Sequence, residues 1–271
     1  MVSDKRKKWK KEYDKRPYVK LKRQEDFLEW RKNGRLIDFK KEDKREYNDL
    51  TKQVLIGSLL GDGCITLVYK RGVRYGECHC MKQKEYLLWK KKIFEKDFKN
   101  CFNYREYTQG HKSYKMCRLH FDDISLYPYY TLIYKNGKKQ ITSELLNQID
   151  ERALAVWYLD DGSLGKSVTV TISVVGYGNK SCERFVKWMK KKYKIEFIIM
   201  KTKVGNVLRL RKKESLKFIE LIKPYVQVKC LKYKISVKEN IAKSREYYQR
   251  PEVKARIKEY QQRSKGKVKG I

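Results

Sequence analysis

One apolar segment of this chain occurs twice. Residues 55–63 read LIGSLLGDG and residues 154–162 read LAVWYLDDG, which places Asp62 and Asp161 99 positions apart. Each copy carries small residues (Gly57, Ser58 and Gly61 in the first, Ala155 in the second) and ends on an acid followed by glycine. A lone Asp-Gly pair is most cheaply a turn. Two in matching contexts constrain the chain further. The small residues allow two helices to pack side by side on a pseudo-twofold axis, which brings their C-terminal ends and both carboxylates together. That placement is electrostatically adverse. Helix C-termini carry partial negative charge, and carboxylates about 6 Å apart repel by roughly 3 kcal/mol at an effective dielectric of about 20. A divalent cation reverses the sign. Carboxylate and adjacent backbone oxygens suit Mg²⁺, which keeps waters and accepts phosphate oxygens.

The sequence after each copy has the same order. In the second half, Val168, Val170 and Ile172 alternate with Thr169, Thr171 and Ser173, a half-buried strand. Residues 82–98 and 182–197 read as amphipathic helices. Residues 198–213 read as a hairpin turning at Gly205-Asn206. Residues 124–134 and 214–226 close each half with a helix. The expected fold is α+β: two αββαββα halves at 49–140 and 141–240. A basic extension (1–48) precedes them and a basic tail (241–271) follows.

Lys and Arg number 67 against 32 Asp and Glu, a formal charge of +35. Such self-repulsion favours a polyanionic partner. Nucleic acid leads and an anionic membrane surface is the alternative. No window is long and apolar enough to span a bilayer, and the N-terminus lacks the apolar core of a secretory signal. An intracellular location is expected, with the compartment open. The exposed sheet face offers Thr169, Thr171, Ser173, Lys201, Lys203, Arg209 and Arg211 as candidate DNA contacts. The two ends share a pattern: EYDKRPYVKLKR (12–23) aligns without gaps on EYYQRPEVKARI (246–257). Each proline suits the first turn of a helix. The pair reads either as solvated arms or as modules gripping phosphates. Seven cysteines, an odd number, include Cys78 and Cys80 flanking His79. With no second ligand pair at finger spacing, these are read as strand residues.

The paired segments resemble the signature of the LAGLIDADG homing endonucleases, in the single-chain branch that carries two motifs. The resemblance covers about residues 49–237. It implies a monomer whose motif helices form the interface and whose sheets form a saddle on double-stranded DNA. The implied activity is Mg²⁺-dependent cleavage of both strands at a long site, leaving short 3′ overhangs, with Mn²⁺ as an alternative ion. The family's catalytic acids map onto Asp62 and Asp161. Gly61 and Asp160 would join the metal site through backbone carbonyls, the Asp160 side chain being secondary. A basic residue after each sheet maps onto Lys139 and Lys234, which follow the two acids by 77 and 73 residues. Two departures stand out. Val156 replaces the motif's glycine, so a looser or offset helix contact is expected there. No polar partner for the acids is evident on the first strands. The same scaffold also admits an RNA-splicing maturase acting on intron RNA, or a non-catalytic DNA-binding protein.

Overall fold

The structure, a computed structural model, describes residues 46–68, 72–98, 102–109, 114–165 and 167–268, with 12, 13, 16–19, 21, 22 and 25 of the N-terminal extension. The first half runs α1 (Asp49–Leu60), β1 (Cys64–Val68), β2 (Gly72–Cys80), α2 (Lys84–Phe94), β3 (Asn103–Gln109), β4 (Tyr114–Asp122) and α3 (Tyr127–Ile133). The second runs α4 (Glu151–Asp161), β5 (Gly162–Gly165), β6 (Thr169–Ser173), α5 (Asn179–Tyr193), β7 (Ile198–Thr202), β8 (Gly205–Arg209) and α6 (Lys212–Ile222). Helices α7 (Val237–Gln249) and α8 (Pro251–Val268) follow. The sheet orders are β1-β2-β4-β3 and β5-β6-β8-β7, and the pairs are antiparallel. The expected αββαββα order therefore occurs twice.

The motif helices are the centre of the molecule. Val54 through Leu60 are all buried in α1, as are Ala153 through Leu159 in α4. A helix apolar all round can only be an interior one. Their starts are fixed by side chains. Asn48 accepts from the Leu50 N–H, and Asp150 accepts from those of Arg152 and Ala153, satisfying N–H groups that the first turn leaves unpaired. The halves are tied there: Gln53 donates to Gln148 O at 2.9 Å and accepts from the Asp150 N–H at 3.0 Å, and Arg152 pairs with Asp49.

Halfway along, backbone meets side chain with no spare volume. A methyl added at Gly57 would lie 2.6 Å from Ala153 O and 2.7 Å from Val156 Cβ. Gly57 and Val156 are the corresponding motif positions, so valine fills the space that glycine leaves. The looser contact expected at Val156 is not found: one glycine suffices for close approach if its opposite number supplies the bulk. Gly57→Ala is expected to cost about 1–3 kcal/mol through overpacking, lowering the thermal midpoint by roughly 2–4 °C per kcal/mol. A calorimetric scan checks this.

Two local expectations change. The second-half hairpin turns at Lys203-Val204, because Thr202 pairs with Gly205 and Lys201 with Asn206. Gly205 supplies the φ of +143° there, a conformation that side chains disfavour. Helix α2 is also shorter than the apolar pattern suggested, since a 3₁₀ turn over Met81–Gln83 leads into it.

Over its described residues, the repeated terminal pattern folds the same way twice. Arg16 N–H donates to Tyr13 O and Val19 N–H to Arg16 O. Arg250 N–H donates to Tyr247 O and Val253 N–H to Arg250 O. Each arginine sits over the ring of its tyrosine, at 5.7 and 6.0 Å. Both valines are buried. Among the described residues, no helix is long and apolar enough to cross a membrane.

Candidate active site and nucleic-acid interface

The C-terminal ends of α1 and α4 meet. A methyl at Gly61 would lie 2.5 Å from Asp160 Cβ, so the residues before the two acids are in contact. Asp62 follows on the turn after α1, its side chain 41 % exposed. Asp161 is the last residue of α4. Burial pushes the Asp161 carboxyl up to about 6, and the neighbouring Asp62 carboxylate adds to the shift. Negative charge is thus gathered at a site that disfavours it, as the paired motifs implied.

Both predicted lysines arrive at this point. Lys139 Nζ donates to Gly61 O and Gly63 O, each at 2.8 Å. Lys234 Nζ donates to Leu159 O at 2.6 Å and Asp160 O at 3.2 Å. Each ammonium therefore caps the C-terminal carbonyls of its own half's motif helix. The position they share, Gly61 or Asp160, is the one immediately before the acid. Burial lowers the pKa of both lysines, and the surrounding aspartates offset this only in part. The structure thus brings together Asp62, Asp161, Gly61, Asp160, Lys139 and Lys234. The Gly61 and Asp160 carbonyls already accept lysine hydrogen bonds, which leaves the two carboxylates as the uncommitted oxygens. That donor set is hard, anionic and oxygen-only, and it fits Mg²⁺.

The side chain of Asp160 is not secondary. It is buried, and it accepts from Lys90 Nζ at 2.9 and 3.1 Å and from Tyr86 OH at 2.8 Å. Its Oδ2 also accepts from the Asp62 N–H at 3.3 Å. Lys90, fully buried, reaches Glu77 at 2.5 Å and lies 4.3 Å from the centre of the Tyr86 ring. His79 Nε2 is 2.7 Å from the same Glu77 oxygen, and its Nδ1 is 3.6 Å from Asp62 Oδ2. Burial works against the charge on each of these groups. Even so, Lys90 and His79 hold the Glu77 carboxyl below its usual value. Asp160 and Glu77 hold the Lys90 ammonium above its own. Burial prevails at Asp160, whose carboxyl is raised. Asp62, His79 and Asp160 also lie close enough to share a cation, although Lys90 already occupies the Asp160 oxygens.

This network supplies the polar partner that was not evident on the first strands. Its signal was the strand alternation. Cys78 and Cys80 face outward, so Glu77 and His79 face inward beside Tyr75, and all three are buried.

The outer sheet faces hold the nucleic-acid candidates. In the second half, Val207 pairs with Met200 and Ser173, and Arg209 with Ile198 and Thr171. Thr169, Thr171, Ser173 and Arg209 therefore share the outer face, and a groove of about 320 Å³ runs past Thr169, Thr171 and Arg209. Lys201 does not join them. It pairs with Asn206 and lies on the opposite face with Ile199 and Leu208, exposed at the end of the sheet. Lys203 sits in the turn, and Arg211 caps α6 beyond the strand. The first sheet contributes outward residues that sequence reasoning missed. Arg118 pairs with Cys78 and Arg105, and Arg74 with Thr66 and Asp122. Arg74 is also bound to the Asp122 carboxylate at 2.5 Å.

The acid cluster carries a pH prediction. Asp161 titrates near 6 in the fold against an ordinary 3.8. The neutral carboxyl is therefore favoured in the fold, and that stability is lost as pH rises through about 6. In EDTA, Asp161→Asn is expected to melt above the parent chain by about 2–4 °C at pH 7.5, after discounting for partial exposure. The difference should vanish near pH 4. Thermal melts across that range check it.

Fold and site together define a class: two like αββαββα halves whose motif helices pack against each other, with an acid at the end of each. A sequence model described as the LAGLIDADG DNA endonuclease family matches residues 52–218. The chain belongs to that family. The probable intron-encoded endonuclease 1 of Wickerhamomyces canadensis is 26% identical over 234 residues, covering 78% of this chain and 94% of that protein. Protein RecA of Mycolicibacterium fallax is 26% identical over 199 residues, covering 66% of this chain and 44% of that one. The chain thus spans less than half the length of the RecA relatives it matches. Among solved structures, the homing endonuclease I-WcaI bound to its DNA recognition sequence superposes with a TM-score of 0.62. It is 21% identical and covers 72% of this chain and 89% of that one. This likeness is one of fold.

Proposed function

We propose that this protein is a site-specific endonuclease that cuts both strands of duplex DNA at a long recognition site with Mg²⁺. The observation that carries the reading is the convergence of Asp62 and Asp161 at the ends of paired helices, one helix end capped by the buried Lys234 and the other by the half-buried Lys139. Family membership supports it, and the relative named as a probable intron-encoded endonuclease supports it further.

Asp62 and Asp161 would hold the ion. A bound divalent cation supplies Lewis-acid stabilisation of charge on a phosphodiester and a more acidic water. Lys139 and Lys234 hold the helix-end carbonyls in place and put fixed positive charge where phosphate charge develops. The outer sheet faces bind the duplex, Arg209, Thr169, Thr171 and Ser173 on one side and Arg105 and Arg118 on the other. Phosphate contacts set the register there, and base-edge contacts set the sequence.

Incubation with a randomised and host-genomic DNA library in Mg²⁺, followed by sequencing of the new ends, tests the reading. A consensus flanking paired cuts is expected. Cuts without a consensus, or no cuts at all, would count against it. Splicing of a host intron by the Asp62/Asp161 double variant would favour the maturase instead.

The terminal modules are proposed to grip phosphates beyond the core. Removing residues 1–23 and 241–271 is then expected to flatten the slope of log affinity against log salt, by about 0.9 for each phosphate no longer bound. Fluorescence anisotropy between 50 and 200 mM salt, a range of about fourfold, reads it; an unchanged slope would make the arms bystanders.

A further inference from the structure

The two halves differ in what supports their acids. Cys64 pairs with Gly76, and its counterpart Ser163 pairs with Thr171, so Glu77 and His79 correspond to Ile172 and Val174. The buried stripe of α2 at Tyr86, Leu87, Lys90 and Phe94 matches Ser181, Cys182, Phe185 and Met189 in α5, so Lys90 corresponds to Phe185. Asp160 corresponds to Gly61. One side of the pseudo-twofold axis therefore has a buried cluster of two acids, a lysine and a histidine where the other has isoleucine, valine, phenylalanine and glycine.

The cluster reaches one catalytic acid from two directions. Asp160 Oδ2 accepts from the main-chain N–H of Asp62 at 3.3 Å, and His79 Nδ1, 3.1 Å from Gln83 Oε1, also lies 3.6 Å from Asp62 Oδ2. Asp161 has no matching support from these positions, because Gly61 carries no side chain and Val174 has no polar atom to offer; the polar side chain beside it is Trp157 of its own helix. A buried ionic cluster stabilises a fold less well than apolar packing of the same volume. Its retention on one side only is thus poorly explained by stability. Asp62, on an exposed turn, needs external orientation; Asp161, inside a helix end, is held by its backbone.

We propose that Glu77, His79, Lys90 and Asp160 are positioning residues that orient the Asp62 carboxylate alone, so that the rates of the two strand cuts are set separately. The inference rests on the endonuclease reading.

The test uses the full-length chain and a duplex carrying its selected site, with each strand labelled by a different fluorophore. Two variants are compared. Asp160→Asn loosens the hold on the Asp62 backbone. His79→Gln removes the ring facing Asp62 and one partner of Glu77 but keeps the bonds of Lys90 to Glu77 and Asp160, so it serves if the first variant folds poorly. The ratio of the two strand rates is expected to shift at least about tenfold, the lower range for weakened support of a metal ligand. In an EPR titration, Mn²⁺ affinity at the site that the two acids share is expected to fall by a similar factor in each variant. Equal slowing of both strands, or slowing of neither, would overturn the inference. A parent chain that cuts nothing overturns the endonuclease reading instead. The Mn²⁺ titration then decides alone, and an unchanged Mn²⁺ affinity in both variants counts against the inference.

Discussion

Asp62→Asn and Asp161→Asn are each expected to leave duplex affinity within about threefold while lowering double-strand cleavage at least about a thousandfold, equivalent to roughly 4 kcal/mol of barrier. The substitution keeps the volume and removes the charge. In the proposed reading the sheet faces hold the duplex, so affinity should survive. The uncommitted oxygens at the helix ends are the two carboxylates, since Lys139 and Lys234 already occupy the neighbouring carbonyls. Losing one leaves an incomplete site for a cation. Asp161→Asn should also gain stability in EDTA, because burial and Asp62 make its carboxylate unfavourable without an ion. Loss of cutting with a gain in melting temperature separates a functional acid from a structural one. Anisotropy in Ca²⁺ and single-turnover cleavage in Mg²⁺ read the two quantities on one preparation.

The largest loss of stability is expected at Lys90. Its ammonium lies between Glu77 and Asp160, with all three side chains fully buried. Lys90→Met leaves two carboxylates without their cation. Breaking a buried pair in this way costs about 3–5 kcal/mol, or a fall in melting temperature of roughly 6–20 °C. The penalty should shrink at low pH, because protonation of Glu77 and Asp160 removes the uncompensated charge. The apolar set on the other side of the pseudo-twofold axis provides a control. Replacing Glu77, His79, Lys90 and Asp160 with Ile, Val, Phe and Gly in one variant should regain most of the loss, since an apolar cluster needs no counter-charge. Calorimetry of both variants at pH 5 and pH 7.5 distinguishes an electrostatic cause from a packing one, a distinction resting on the same protonation.

Much of this was readable in the chain because it is written twice. The second motif turned one Asp-Gly from a turn into half of an interface. The spacing of Lys139 and Lys234 from their acids pointed to two residues that do reach the same backbone position in each half. The buried network was harder to see. Glu77 and His79 lie on β2, Lys90 on α2 and Asp160 on α4, so their meeting depends on packing among three elements. Each alone reads as a polar interruption of an apolar face. The parity that put Cys78 and Cys80 outward nonetheless placed Glu77 and His79 inward, beneath Asp62. Lys201 was misplaced for the converse reason. Its alternation with neutral neighbours was clear, but the face depends on which residue it pairs with, and Asn206 places it with Leu208. Val156 shows that a motif position can be filled differently on the two sides of a pseudo-twofold axis, provided that the summed volume is kept.

Whether the paired acids cut DNA is decided by measuring binding and cutting together on one selected duplex. The full-length protein is mixed with end-labelled DNA in Mg²⁺ and in EDTA, and bound fraction and strand cleavage are read from the same sample. Binding is predicted in both buffers, and cleavage of both strands only in Mg²⁺. A duplex fully bound in Mg²⁺ and left intact would contradict this, and would make the protein a DNA-binding scaffold whose two acids do no chemistry.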